Sequence, residues 1–579
     1  MAHYDILIRG GTVIDGTGVP RFRADVAVQG DRVAKIDGIR ASDTADRVID
    51  ASGCHVVPGY IDIHTHYDAQ ILWDPYCTIS GWHGVTSVVL GNCGFGFAPI
   101  PPELRERAQL SMTRNEAIPI ETMREGMKWD EHGWVTFPDW LEHIKRIPKG
   151  VNAMQLFPLN PAYAWAMGGW DEAKERRPTQ AELNHMAAMM HEAMDLGAVG
   201  FSYQRCGPVS TQPDFDGSPM ITDLLTDEEI IFFGAELAKR GEGFIEMFDR
   251  YPTSHATIEE FMDALGAASG RPVVRNILMG DVKFPGRHLR FLDWLDAGHK
   301  KDLQLYGMAF TVRAPTFITF EDWSLWDGAP TWNKVMNGSF ESRVALMQDP
   351  EIRKQLDHEV VTRRVPGPGA CGYPEDLIVH GTGGVERFEA YLGRRVGDLA
   401  EEWGCTVTDV LLDMSIEGEF KVEFKGDCMD IEPDVVGQIL QSDYAVPGIS
   451  DGGAHCHFIV QGAYPTDLLE WAVREHGLIS YERAHYLLSR LPAHMAGFTD
   501  RGVLREGGPA DIVVYDPETI ARAPRWDQAE RTYDWPANGW RWTQRAHGLH
   551  YTLVNGEITF EGLECTGATP GRLLEFGRG

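Results

Sequence analysis

At 579 residues, with 43% hydrophobic and 24% charged side chains, the chain has a globular composition and exceeds one ordinary core, so one barrel-sized domain with a smaller companion is expected. Lysine and arginine total 53 against 85 acidic residues, a formal charge of -32, which argues against nucleic acid as a partner. The opening MAHYDILIRGG lacks a basic-then-apolar targeting pattern and no apolar run is long enough to span a bilayer, so a soluble, cytoplasmic protein with no membrane partner is expected. The nine cysteines (54, 77, 93, 206, 371, 405, 428, 456 and 565) are odd in number, scattered and without C-x-x-C pairs, so no disulfide framework is expected.

The first segment alternates strand-like runs with Gly/Asp turns, in YDILIRGGTVIDGTG, RADVAVQGDRVAKIDG and RVIDASGCHVVPG, which suggests a small antiparallel sheet. The C-terminal region repeats the style in GVLREGGPADIVVYDPETI and LHYTLVNGEITFEG, where Asn555-Gly556 is a hairpin signal. Neither end has a complete core of its own. Residues 1–57 and 500–579 are therefore expected to form one discontinuous small β-sandwich domain.

Between them, residues 58–499 alternate buried strands with helical stretches. The strands read GYIDIHTH, GVTSVVLGNCG, VNAMQLFPLN, GAVGFSYQ, GFIEMFD, PVVRNIL, DLQLYGMAF and YAVPGISD. Stretches such as TQAELNHMAAMMHEAMDLG and TDEEIIFFGAELAKRG have helical periodicity and end in glycine. Eight strands alternating with helices predict an α/β fold, a (β/α)8 TIM barrel, whose chemistry sits at the C-terminal ends of the strands.

Four residues at such ends carry the chemistry. His64 and His66 are two apart on a strand, so both project from one face with Asp62 just behind them, a chelate geometry for a metal ion; alone, the tripeptide is more often a polar surface pair. Cys93 in VVLGNCGFGFAP follows a β-branched run, and Gly91, Gly94 and Gly96 leave room near the backbone; it reads either as a buried apolar thiol or, beside a cation, as a thiolate ligand. Asp451 opens SDGGAH at the end of the last barrel strand and reads either as a turn aspartate or as a carboxylate that binds the ion and takes a proton from water activated by it. His455 and His457 nearby would add a hydrogen-bond donor or a further ligand. Arg250, Arg275 and Arg313, at or near strand ends, suit either a substrate carboxylate or a structural ion pair. The aromatic-rich FPLNPAYAWAMGGW, FITFEDWSLWDG and DWPANGWRWTQ fall where loops would cover the mouth, as core packing or as a cradle for an apolar acyl group.

LIRGGTVIDGTG, VVPGYIDIHTHYD, GISDGGAH and PADIVVYDPETI with VNGEIT together resemble the amidohydrolase superfamily over essentially the whole chain. GVTSVVLGNCGFGFAP and the closing PGRLLEFG are similar to its N-acyl-D-amino-acid deacylase branch, in which a cysteine takes the bridging position that a carboxylated lysine fills elsewhere. The resemblance implies His64 and His66 as ligands of the first metal, Cys93 as a ligand, and Asp451 as ligand and general base. It implies a metal-dependent hydrolase of an amide (C–N) bond, acting on an N-acyl amino acid or related small molecule, and a homo-oligomer is expected. Other readings of the same scaffold are a cyclic amide, a lactone or a C–C bond beside a carbonyl as the target, or a protein that has lost catalysis.

There is one departure. The family carries a metal-binding histidine on each of strands five and six, which here read GEGFIEMFDR and RPVVRNILMG. Glu246 or Asp249 on the first and Asn276 on the second are the substitutes within these strands, while His255 and His288 lie in flanking helical or looped segments. One tightly held Zn2+ is therefore expected, bound by His64, His66 and Asp451 with Cys93 close by. Glu246, Arg250, Asn276, Arg313 and His455 are the candidates for contact with substrate.

Overall fold

The computed structural model describes residues 1–577 apart from 283, 325, 363–372 and 427–430. All eight expected strands are present and parallel. Strand one is Tyr60–Asp62 with His64–Thr65, strand two Val85–Leu90, and strand three Asn152–Gln155 with Phe157–Pro158. Strand four is Gly200–Arg205, strand five Phe244–Asp249, strand six Val273–Leu278 and strand seven Leu305–Ala309. Strand eight is Ala445–Pro447 with Ile449–Gly452, and pairing of Ile449 with His64 closes the circle. Within it Asp62 lies beside Val88, Ser202 beside Glu246, and Phe248 beside Asn276. These registers bring residues distant in sequence onto one rim.

The expected helices form where their caps allow. Gln180–Asp195 and Asp227–Arg240 begin at Thr179 and Thr226, each closing a capping box with the glutamate three residues on, and the second ends on left-handed Gly241.

The termini build two sheets. The larger runs in the order Glu564–Cys565, Glu557–Glu561, Leu549–Val554, Ile512–Tyr515, His55–Pro58, Thr12–Val13, Phe22–Arg23, so four C-terminal strands continue into three N-terminal ones in one ladder. The smaller is wholly N-terminal and is not fully antiparallel: His3–Arg9 runs parallel to Thr44–Asp50, because the hairpin Val26–Gln29 and Arg32–Ile36 lies in the crossover between them. Ile6, Ile8, Val26 and Val28 from one sheet and Val13, Val56, Ile512, Val514 and Leu553 from the other share a single core.

Long excursions leave the rim. One follows strand two and carries the helices Arg105–Asn115, Ile120–Met127 and Phe137–Arg146. Another follows strand seven and includes the antiparallel strands Thr316–Ile318, Val422–Gly426 and Ile378–Thr382. The hairpin Glu530–Trp535 and Gly539–Thr543 packs against this region: Trp540 stacks on His457 at 4.2 Å and Trp542 on Phe317 at 4.4 Å. Of the aromatic segments, Trp323, Trp326 and Trp332 are fully buried against one another, so this group is packing. The described cysteines are all free; Cys371 and Cys428 lie outside the described residues.

Candidate metal centre

Strand one delivers His64 and His66 to the barrel mouth, and the turn after strand two brings Cys93 beside them. One ligand atom from each converges within 4.8 Å of the others, all three residues being buried. The thiol is 3.8 Å from His64 Nε2; Asp451 Oδ1, from the end of strand eight, is 3.0 Å from His64 Nε2 and 3.8 Å from His66 Nε2.

The local backbone explains how Cys93 gets there. Gly91, Cys93 and Gly94 all have positive φ, and a Cβ on Gly91 would come within 2.6 Å of the Leu156 carbonyl. Only glycine serves at that position. Cys93 itself, at φ 55, holds a conformation costing about 1–3 kcal/mol in a non-glycine residue. It is kept there by its N–H donating to Glu246 Oε2 at 2.7 Å. Asp451 is also left-handed, at φ 45, and is fixed from behind: with its amide oriented to satisfy both ends, Gln461 donates to Asp451 Oδ2 at 3.0 Å and to the Ile449 carbonyl at 3.1 Å.

The electrostatics call for positive charge here. Burial opposes ionisation of Asp451, but the hydrogen bond and charge of His64 prevail and draw its carboxyl down to about 2. Burial likewise opposes a charged His64, yet Cys93, Asp451 and Glu246 together raise it well above its ordinary value. His66, buried and beside His64, is pushed down to about 3, so its ring is neutral and leaves a nitrogen lone pair for a cation. Burial with the Glu246 charge holds the Cys93 thiol well up; a cation would reverse this in favour of thiolate. Asp68 is raised to about 7 by burial, and its Oδ1 has no hydrogen-bond partner; neither oxygen of buried Glu116 has one, nor does Asn276 Oδ1. Two imidazoles, a thiol and a carboxylate, surrounded by under-satisfied acceptors, fit a zinc-type cation.

Strands five and six present a different surface. Glu246 is wholly buried; its Oε1 accepts from Asn276 Nδ2 at 2.5 Å and lies 3.3 Å from His64 Nδ1, while Asn276 Nδ2 is 3.0 Å from the same ring nitrogen. These two residues, on the strands where the resemblance places histidines, thus grip His64 and the Cys93 turn. Asp249 has the opposite parity to Glu246 and faces away, to Arg205 at 2.8 Å and Tyr203 at 3.1 Å.

The remaining candidates divide. Arg250 lines a cavity of about 330 Å3 together with Arg275, Arg287, Arg290 and Asn276. Arg275 leaves strand six on the face opposite Asn276 and lies over Phe291. Arg313 is committed to Asp467 by bonds of 3.0 and 2.7 Å and lies over Trp471, so it is held away from the cluster. His457 bonds Asp322, His255 bonds Asp227 and His288 bonds Gln438. His455 stays at the centre, buried and facing Glu116 at 3.7 Å.

Sequence reasoning missed Asp68, Glu116 and Gln461. Asp68 continues the parity of Asp62, His64 and His66, and that signal was available; Glu116 and Gln461 lie in excursions whose course only the tertiary structure reveals.

A profile of the amidohydrolase family matches residues 47–205 and 434–560, the segments that carry His64, His66, Cys93 and Asp451. The D-aminoacylase of Alcaligenes xylosoxydans xylosoxydans is 29% identical, covering 99% of this chain and 97% of its own. The N-acyl-D-aspartate deacylase of the same organism is 27% identical, over 100% of this chain and 96% of its own. A crystal structure of D-aminoacylase superposes with a TM-score of 0.65 at 26% identity, covering 99% of this chain and 100% of that one. The chain belongs to the amidohydrolase superfamily, whose enzymes are metal-dependent TIM-barrel hydrolases. Within it, it falls in the D-aminoacylase-like branch, hydrolases of C–N bonds other than peptide bonds. Among the described residues, no helix is long and apolar enough to cross a membrane.

Proposed function

We propose that this chain hydrolyses the amide bond of an N-acyl-D-amino acid, using one zinc ion held by His64, His66 and Cys93, with Asp451 as general base. The observation that carries it is the convergence of three donor atoms within 4.8 Å beside the Asp451 carboxylate. The activities named for the relatives, D-aminoacylase and N-acyl-D-aspartate deacylase, support the substrate class and the D configuration.

When bound, the ion supplies Lewis acidity to the scissile carbonyl and acidifies the attacking water. The chain's residues do the rest. Asp451 accepts the proton released as water attacks and passes it to the nitrogen as the C–N bond breaks, so the carboxylate is regenerated. Gln461 holds that carboxylate in line, and Glu246 with Asn276 fixes the His64 ring, as groups behind metal ligands generally do. Because these contacts occupy the oxygens of Glu246, what Glu246 and Asn276 leave to a second ion is the Asn276 Oδ1, a neutral amide oxygen and a weak ligand for a zinc-type ion. One D-aminoacylase structure, 25% identical with a TM-score of 0.65, is described as a binuclear centre with one-metal activation and second-metal attenuation, which supports a working site of one ion. The cavity lined by Arg250, Arg275, Arg287 and Arg290 adjoins the centre through Asn276 and suits the substrate carboxylate.

A hydrolysis screen of N-acyl amino acids, with D and L forms of aromatic, aliphatic and acidic residues, tests this reading against wild type and His66→Ala. Amine release from D forms by wild type alone is expected. Silence of the wild type across the panel, or equal release by His66→Ala, would defeat it.

A further inference from the structure

We propose that Glu116 and His455 work as a pair: His455 is a catalytic hydrogen-bond donor to the oxygen of the scissile carbonyl, and Glu116 is the positioning residue that aims it. The inference rests on the amide-hydrolase reading of the same centre.

Glu116 follows directly on the helix Arg105–Asn115, in the excursion after strand two. Its backbone carbonyl accepts from the His455 N–H at 2.6 Å, and its Oε2 lies 3.7 Å from His455 Nε2. The side chain is 1% exposed and neither carboxylate oxygen has a hydrogen-bond partner. A buried carboxylate left so is costly unless the site gives it work. It also interacts electrostatically with Asp451 and His64, so it belongs to the same centre.

His455 closes the turn that Asp451 opens: the Ala454 N–H donates to the Asp451 carbonyl at 2.8 Å, and His455 stands at φ 52, left-handed. Its Nε2 faces Glu116, and its Nδ1 is buried with no partner. The ring is buried where the charges of Asp451 and His64 act on it, so this nitrogen is open to a ligand at the same centre.

Two side-chain amides at the centre are already committed. Asn276 Nδ2 contacts Glu246 and His64, and Gln461 donates to Asp451 and Ile449. Nor do Glu116 and His455 belong to the convergent group of His64, His66 and Cys93. As water adds, the carbonyl oxygen gains charge and a preorganised donor there lowers the barrier, which is the place left for His455.

The zinc-loaded enzyme tests this through His455→Asn, Glu116→Gln and Glu116→Asp, with His455→Gln in reserve if the first does not fold. The readouts are kcat and KM on the best N-acyl amino acid, zinc per chain by elemental analysis, and affinity for the phosphonate in which tetrahedral phosphorus replaces the scissile carbon. His455→Asn should lower kcat by about 10² to 10³-fold with little change in KM and full zinc content, and weaken the phosphonate by the same factor. Glu116→Gln should lower kcat about tenfold and Glu116→Asp should recover part of it. Unchanged kcat and phosphonate affinity in His455→Asn, or activity loss that tracks zinc loss, would overturn the pair. A wild type that cleaves no N-acyl amino acid would overturn the amide reading and the pair with it, so the two failures are distinguishable.

Discussion

The two halves of the barrel mouth are built from the same kind of strand end yet do opposite things. On the side of strands one, two and eight, His64, His66, Cys93 and Asp451 point donor atoms at a common space. On the side of strands five and six, Glu246 spends its oxygens on Asn276, the Cys93 N–H and His64, and Asn276 keeps only a neutral amide oxygen unpartnered. A buried carboxylate can serve an ion or its water only when lone pairs remain after its hydrogen bonds are made; Asp451 has them and Glu246 has few. The difference lies in what the neighbours donate, since both residues belong to strands of the same closed sheet.

The comparison breaks most sharply at Asp451. Asp451→Asn should fold, with an unchanged melting curve, and lose ~10² to 10⁴-fold in kcat as a lost general base does. If it keeps wild-type turnover, the open half is not the reacting half. Glu246→Gln alters the closed half instead: it leaves the ligands in place and weakens the hold on His64, so zinc affinity measured by competition with a chelator should fall about 10 to 100-fold. No change in affinity would mean that the closed half is mere filling.

Arg250→Ala examines the cavity next to that half. It should raise KM for an N-acyl amino acid about tenfold, in line with one lost charge-assisted hydrogen bond, while kcat holds. Equal KM values for the two enzymes would remove the carboxylate from that cavity. The subtlest change sharpens the contrast by abolishing it. In Glu246→His with Asn276→His, zinc per chain should rise from one to two by elemental analysis, since both substituted side chains then present an open ring nitrogen. Two ions in the unaltered enzyme after dialysis would contradict the one-ion reading.

Much of this was legible in the chain. The β-branched runs and glycine-terminated helical stretches specify a parallel barrel because their periodicities are local properties, and parity alone puts His64 and His66 on one face. The same parity separates Glu246 from Asp249 and Asn276 from Arg275, so the inward residues of strands five and six were readable from their register. What could not be read were contacts between excursions. Glu116 and Gln461 lie on segments of no special pattern, and Arg313, a fair candidate by position, is claimed by Asp467 more than 150 positions away.

The sequence by itself determined the fold class, the face of strand one that carries His64 and His66 and the chemistry of each candidate donor, because these depend on side-chain type and short-range spacing. Only the tertiary structure decided which donors stay free. That depends on partners brought close by barrel closure and loop packing: Ile449 beside His64, Glu246 beneath the Cys93 turn, and Glu116 against His455.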